Sequence, residues 1–285
     1  MTVLEPAVNQ PSLDTPGRAW SRPSGLAIWV ALTVLILGVL ITAPGLVSNH
    51  GPFGLKVSDR LNGPSADHWF GTDDFGRDIF SRVMHGTRYS IGSALTVAIF
   101  AVVVGTIYGA TAAWVGGVVD RLMMRTVDVF LGFPYLVFAM AVAASLGRGL
   151  KSTIIALALL WWPSYARMVR GMVKSILNDY HVQAARTLGT NERQLMQWHV
   201  IPHTYDQILV RFTFDIGISL IALTGLSFLG LGVGPPTPEW GRMVADSKQL
   251  ALSAPWYAIF PGLVIFLVVL NFVLLGEALR KRAVR

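Results

Sequence analysis

The 285-residue chain contains no cysteine. That excludes a disulfide framework, a thiolate metal site and a cysteine nucleophile. It is also poor in charge. Asp, Glu, Lys and Arg make up 14% of the residues, whereas a soluble domain carries about a quarter. A phosphate loop is missing too. Gly147-Arg148-Gly149-Leu150-Lys151-Ser152 has a superficial likeness to one. However, Leu150 separates Gly149 from Lys151, and no glycine precedes at the required spacing. Nucleotide hydrolysis on such a loop is therefore not available to this chain.

Apolar sequence dominates instead, with 53% hydrophobic residues and a mean hydropathy of +0.54. Several runs approach the roughly 20 residues needed to cross a bilayer. The pattern predicts an all-α integral membrane protein with about six transmembrane helices. The expected spans are residues 26–47, 89–114, 124–146, 152–171, 207–232 and 256–275. The first run exceeds the apolar core of roughly 7–15 residues found in a cleaved signal peptide. It reads as an uncleaved helix, preceded by a flexible cytoplasmic tail over residues 1–24 that contains Pro11, Pro16 and Pro23.

A net charge of +7 would suggest nucleic acid in a soluble protein. In a membrane protein, Lys and Arg gather in cytoplasmic loops, and topology accounts for the excess without nucleic acid. With the N-terminus inside, 13 Lys and Arg are cytoplasmic and 9 external, with Arg211 left in the fifth span. The densest clusters flank the fourth and sixth spans. Both termini and the 178–203 stretch are thus expected in the cytoplasm.

That stretch is a polar, helix-forming island between spans, far longer than a reversal requires. Ala184 and Ala185 favour helix and leave a small face. Gly189 suits the left-handed residue that ends a helix. Asn191, with Gln194 three residues later, reads as an N-cap with its capping-box partner. Pro202 is expected to stop the second of two short helices. Together they predict a rigid helical elbow outside the membrane.

Residues 48–87 form a second polar segment, expected outside. Asp73, Asp74 and Asp78 invite a Mg²⁺ reading, since carboxylates hold that ion with a substrate phosphate. Arg77 stands among them as an internal counter-ion, so a solvated loop tied by Asp–Arg pairs is the expectation. Two further features lie within the spans. Gly105-Thr106-Ile107-Tyr108-Gly109 is a small-xxx-small step that admits a close helix neighbour. Arg211 and Asp215, spaced i and i+4, can pair on one helix face. After the fifth span, Trp240, Trp256 and Tyr257 suit an interfacial belt.

Three separated motifs carry a family resemblance. Ala184-Ala185, Gly189 and Pro202 are similar to the loop pattern Glu-Ala-Ala-x-x-x-Gly, about a dozen residues, then Pro. This pattern belongs to ABC-transporter permeases of the binding-protein-dependent import type. Gly71-Thr72-Asp73 with Gly76-Arg77-Asp78 resembles the C-type permease subunit of dipeptide, oligopeptide and nickel importers. So does Leu226-Ser227-Phe228-Leu229-Gly230 followed by Pro235-Pro236-Thr237-Pro238-Glu239-Trp240-Gly241. The likeness runs from about residue 25 to the C-terminus. It divides the chain into the tail, a first helix with its external segment (25–87) and a permease core (88–285).

The resemblance implies a type I importer permease in a bacterial inner membrane, most suited to di- or oligopeptides. It implies that Val182, Gln183, Ala184, Ala185, Arg186, Leu188, Gly189 and Pro202 form an ATPase-coupling loop between helices 4 and 5. The implied company is a second homologous permease, two ATP-binding subunits and an external substrate-binding protein, all working in membrane lipid. ATP and Mg²⁺ would sit on the ATPases, leaving no cofactor, resident metal or catalytic residue on this chain. One departure is Gln183, where the family has Glu. Either charge is not essential there or the amide fills the role. Two other classes stand beside this reading. One is a self-sufficient secondary transporter with Arg211–Asp215 as its ion pair. The other is a Mg²⁺-dependent membrane transferase using Asp73, Asp74 and Asp78.

Overall fold

A computed structural model describes residues 25–283, and the 1–24 tail lies outside them. Among the described residues the regular structure is helical, with a single isolated bridge between Thr72 and Asp78. Helix α1 (Gly25–Thr42) has no charged residue and buries only Thr33. It is anchored where Trp29 Nε1 donates to Asn271 Oδ1 at 2.9 Å.

Helix α2 (Ile79–Val115) starts ten residues before the expected span. Asp78 explains the early start, because its carboxylate accepts from Ser81 N at 2.6 Å and caps the helix. The 37 residues give a rod about 55 Å long. Its Gly105 and Gly109 lie against α5 (Leu150–Leu177). A Cβ on Gly105 would come 2.4 Å from Tyr165 Cβ, and one on Gly109 would come 2.3 Å from Ala166 O. The small-xxx-small step therefore serves packing within the chain.

The expected third span is not one helix. After Gly116 the chain forms α3 (Gly117–Leu131) and then α4 (Tyr135–Ser145), bent by 85° from each other. Pro134 disfavours helical backbone at Phe133, and Gly132 offers little resistance to the break. Apolarity runs straight through the turn, which is why hydropathy alone reads it as continuous.

A second difference concerns Pro202. Helix α6 (Tyr180–Thr187) is followed by α7 (Glu192–Gln194), a π turn at Leu195–Val200 and α8 (Ile201–Phe228). The last three form one helical stretch, Glu192–Phe228. Pro202 sits in the first turn of α8 and does not stop the helix. The π turn widens the coil where the proline ring would strike the preceding carbonyls. Helices α9 (Trp240–Asp246) and α10 (Trp256–Ala283) complete the bundle.

Among the described residues four helices are long and apolar enough to cross a membrane, or five if the bent α3–α4 pair is one broken span. Helix α5 is long enough at 28 residues, but Arg167, Arg170 and Lys174 lower the apolarity of its second half. It nevertheless runs from one end of the bundle to the other, through the interior, with Leu157, Trp162, Tyr165 and Ala166 buried against Leu223 and Leu226 of α8. The loops collect at two ends. One gathers residues 44–88 with 149, 231 and 236–256, as in the bond from Gly149 N to Leu231 O. The other gathers the start of α3, the end of α5 and the elbow, where Arg170 and Lys174 both bind Asp120.

Candidate functional site

The elbow is built from local signals that act as the sequence suggests. Asn191 Oδ1 accepts from Gln194 N at 2.8 Å, and Gly189 takes φ +87°. Arg186 pairs with Glu192 at 2.9 Å, bracing α6 against α7. Val182 is buried, while Met196 and Val200 of the π turn pack on Val169 and Val173 of α5. The opposite side is open. Tyr180 is 94% exposed, Leu188 86% and Trp198 74%, with Gln183, Ala184 and Arg186 exposed beside them. Gln183 Nε2 reaches only Asn178 O, at 3.5 Å. Apolar side chains are thus held out on an uncovered face by a braced backbone.

At the other end, the aspartate segment is folded and buried rather than solvated. Asp73 is fully buried, and Arg77, Asp78 and Arg82 are nearly so. Arg77 Nε donates to Asp73 Oδ2 at 2.6 Å, and Arg82 Nε stands 3.5 Å from the same oxygen. Asp73 Oδ1 also accepts from Phe75 N and Arg77 N, both at 2.9 Å. Buried charge demands such pairing, since an unpaired carboxylate loses its hydration with nothing in return. Gly71 and Gly76 adopt φ +74° and +71°. A Cβ at Gly76 would fall 1.8 Å from Lys56 O, so the Gly–Arg–Asp turn requires glycine there.

Asp78 has a different partner from the one expected. It takes His68 Nδ1 at 2.9 Å as well as the α2 N-terminus. Asp73, Asp74 and Asp78 therefore do not converge on one cation position. The ligand atoms that do approach one another, within 4.8 Å, belong to His50, His68 and Asp78. Burial raises the Asp74 carboxyl above the usual range. Neighbouring Asp73 adds to this effect, and Arg77 opposes it.

Trp240 and Tyr257 are also buried rather than interfacial. Trp240 Nε1 donates to Val83 O at 2.9 Å, and its ring fills the space against Gly86. Trp256 Nε1 points at Thr72 O, 3.3 Å away. Pro235 and Pro236 join through a cis peptide bond, and Pro236 O accepts from Arg82 Nη1 at 3.3 Å. Gly241 rests on the Thr224 backbone of α8. Thus the Gly-Thr-Asp/Gly-Arg-Asp motif and the Pro-Pro…Trp-Gly motif form one body. Its hub is Glu239, which the sequence reading did not single out. Its fully buried carboxylate caps α9 through Gly241 N (2.9 Å) and Arg242 N (2.8 Å) and accepts from Ser90 Oγ at 3.3 Å. Burial holds the Glu239 carboxyl above its ordinary range, with the two cap bonds opposing. A Glu directly before Trp-Gly-Arg was the available signal.

Arg211 and Asp215 pair as their spacing suggests, Nε to Oδ2 at 2.8 Å. They line a cavity of about 450 Å³ together with Phe133, Tyr135, Trp161 and Ser164. The break between α3 and α4 forms part of its wall.

Residues 101–285 match the family model of the binding-protein-dependent transport system inner membrane component. The chain belongs to that family. It is 39% identical to a dipeptide transport system permease protein of Alkalihalophilus pseudofirmus, over 88% of this chain and 82% of that protein. It is 38% identical to a glutathione transport system permease protein of Pectobacterium atrosepticum, over 98% and 94%. A probable D,D-dipeptide transport system permease protein of Escherichia coli is 38% identical over 87% and 83%. The fold is similar to that of the inward-facing MetNI methionine ABC transporter, with TM-score 0.51 and 18% identity over 69% of this chain and 95% of that one. An amino acid ABC transporter gives TM-score 0.52 and 19% identity over 69% and 94%. The protein is a multi-pass membrane permease with the type I importer fold.

Proposed function

We propose that this permease forms one half of the pore of an ATP-driven importer for di- or oligopeptides. The relatives named for dipeptides and glutathione support that cargo class. A second, related permease completes the pore, two ATP-binding subunits drive it, and an external binding protein delivers cargo. ATP and Mg²⁺ belong to the ATP-binding subunits. The elbow is the coupling element, with Val182, Leu195 and Val200 buried behind it. The buried body made by Gly71–Asp78 and Pro235–Gly241 is the external cap on which the binding protein docks. Arg211 and Asp215 belong to the path between.

The observation that carries this reading is the braced elbow with its uncovered apolar face. A helix that transmits force must be stiff behind and accessible in front, and α6 is both. Exchanging the exposed Ala184 for Trp tests it. The variant should reach the membrane and co-purify with the second permease. It should lose the ATP-binding subunits and peptide uptake, because the bulk obstructs the docking groove. Normal retention of those subunits with wild-type uptake would overturn the coupling role.

A further inference from the structure

The Arg211–Asp215 pair is asymmetric in a way that a purely structural ion pair does not require. Asp215 is 1% exposed at its side chain, whereas Arg211 is 44% exposed. Arg211 lies about 15 Å and Asp215 about 21 Å along the helix axis from Ile201. Charge at such depth is costly, and where it persists it faces a bundle interior or a water-filled cavity. Here it faces the 450 Å³ cavity. Asp215 holds the guanidinium through Nε, and Tyr165 presents its ring 5.8 Å from the guanidinium carbon. The Nη edge is left free for a planar bidentate partner, and the guanidinium fork matches a carboxylate.

The rest of the wall fits the same partner. Broken helical backbone at membrane depth is tolerated where it lines a cavity, and the 85° break between α3 and α4 does so here. Tyr135 opens α4 and lines the cavity, so the positive end of that helix dipole also faces it. Phe133 and Trp161 supply flat apolar surface without shape selection. The volume lies within the roughly 300–1,000 Å³ of small-ligand pockets.

We propose that this cavity is a transit site for the free carboxylate of the cargo peptide, bound by the Nη edge of Arg211. Asp215 is the positioning residue that aims the guanidinium, and Phe133, Tyr135 and Trp161 accept cargo side chains. This rests on the peptide-importer reading above. It adds that the permease itself, and not only the binding protein, reads one feature shared by unblocked peptides.

The test uses the complete transporter in proteoliposomes with its binding protein. Uptake of a dipeptide is compared with uptake of the same dipeptide amidated at its C-terminus. The acid-to-amide ratio is taken for wild type and for Arg211→Gln. Both variants use the same binding protein, so its own preference cancels between them. The ratio should fall about tenfold in Arg211→Gln, while Arg211→Lys, which keeps the charge but loses the fork, should fall between. If Arg211→Gln does not assemble, Ser164→Asp gives an independent reading, since it puts a negative group on the wall and leaves both members of the pair unsubstituted. It should lower acid uptake more than amide uptake. An unchanged ratio in Arg211→Gln, or in Ser164→Asp where the former does not assemble, would overturn the transit site. A wild-type complex that imports neither peptide would instead sink the peptide-importer reading.

Discussion

Buried carboxylates carry much of the order at the cap end, and each is satisfied differently. Asp73 is paired with arginine, Asp78 is hydrogen-bonded to His68 and a helix N-terminus, and Glu239 accepts from two backbone N–H groups and Ser90. Glu239 has no cationic partner among these, so its ionised form is the one that burial penalises. Its folded-state value is raised above 4.5, so the folded protein holds that proton more tightly than the unfolded chain. The contribution to stability is therefore greatest at low pH and is lost as pH rises through the raised value. Glu239→Gln removes the titration while keeping one acceptor oxygen. The difference in melting temperature, wild type minus variant, should increase as pH is lowered from about 8 to about 5. A flat difference across that range would show that Glu239 does not titrate there. At this scale the sequence was informative about which charges are close in the chain. Arg77 with Asp73 and Arg211 with Asp215 are four residues apart and pair. Glu239 with Ser90, and Arg82 with Pro236, are joined only by tertiary folding and left no local trace.

Helix ends show the same division. Gly189 and Asn191 are short-range signals, and both act as residue chemistry dictates: left-handed backbone at one, an N-cap at the other. Pro202 fails as a terminator because the π turn ahead of it absorbs the ring, an adjustment that no neighbouring residue announces. The α3–α4 break was likewise spelled by Gly132 and Pro134 but masked by unbroken apolarity. A graded test follows for the elbow. A Cβ at Gly189 would meet nothing within 4 Å, so any effect of substitution comes from the backbone alone. Left-handed backbone is disfavoured by roughly 1–2 kcal/mol for ordinary residues, and asparagine bears it better than most. Gly189→Val should reorient α6 and lower both ATPase-subunit retention and uptake, whereas Gly189→Asn should retain most of both. Equal behaviour of the two variants would mean that the turn at Gly189 does not set the angle of the elbow.

At the scale of the whole molecule, the loops sort to two ends without reference to any membrane. Contacts between Arg82 and Pro236, and between Gly149 and Leu231, bring segments distant in the chain together at one end. Asp120 with Arg170 and Lys174, and Asp128 with Arg167, do the same at the other. The end with Arg167, Arg170, Lys174, Arg186, Arg193 and the 280–282 cluster holds the elbow, and the positive-inside tendency makes it the end expected in the cytoplasm. The absence of native cysteine makes the assignment directly measurable. Val57 is 80% exposed at the cap end, and Arg193 is exposed on the elbow. In intact cells, Val57→Cys should react with a membrane-impermeant maleimide, and Arg193→Cys should react only after permeabilisation. Labelling of Arg193→Cys in sealed cells would invert the molecule, placing the elbow where no ATP-binding subunit could reach it. The coupling mechanism would fall with it, although the fold and the family would stand.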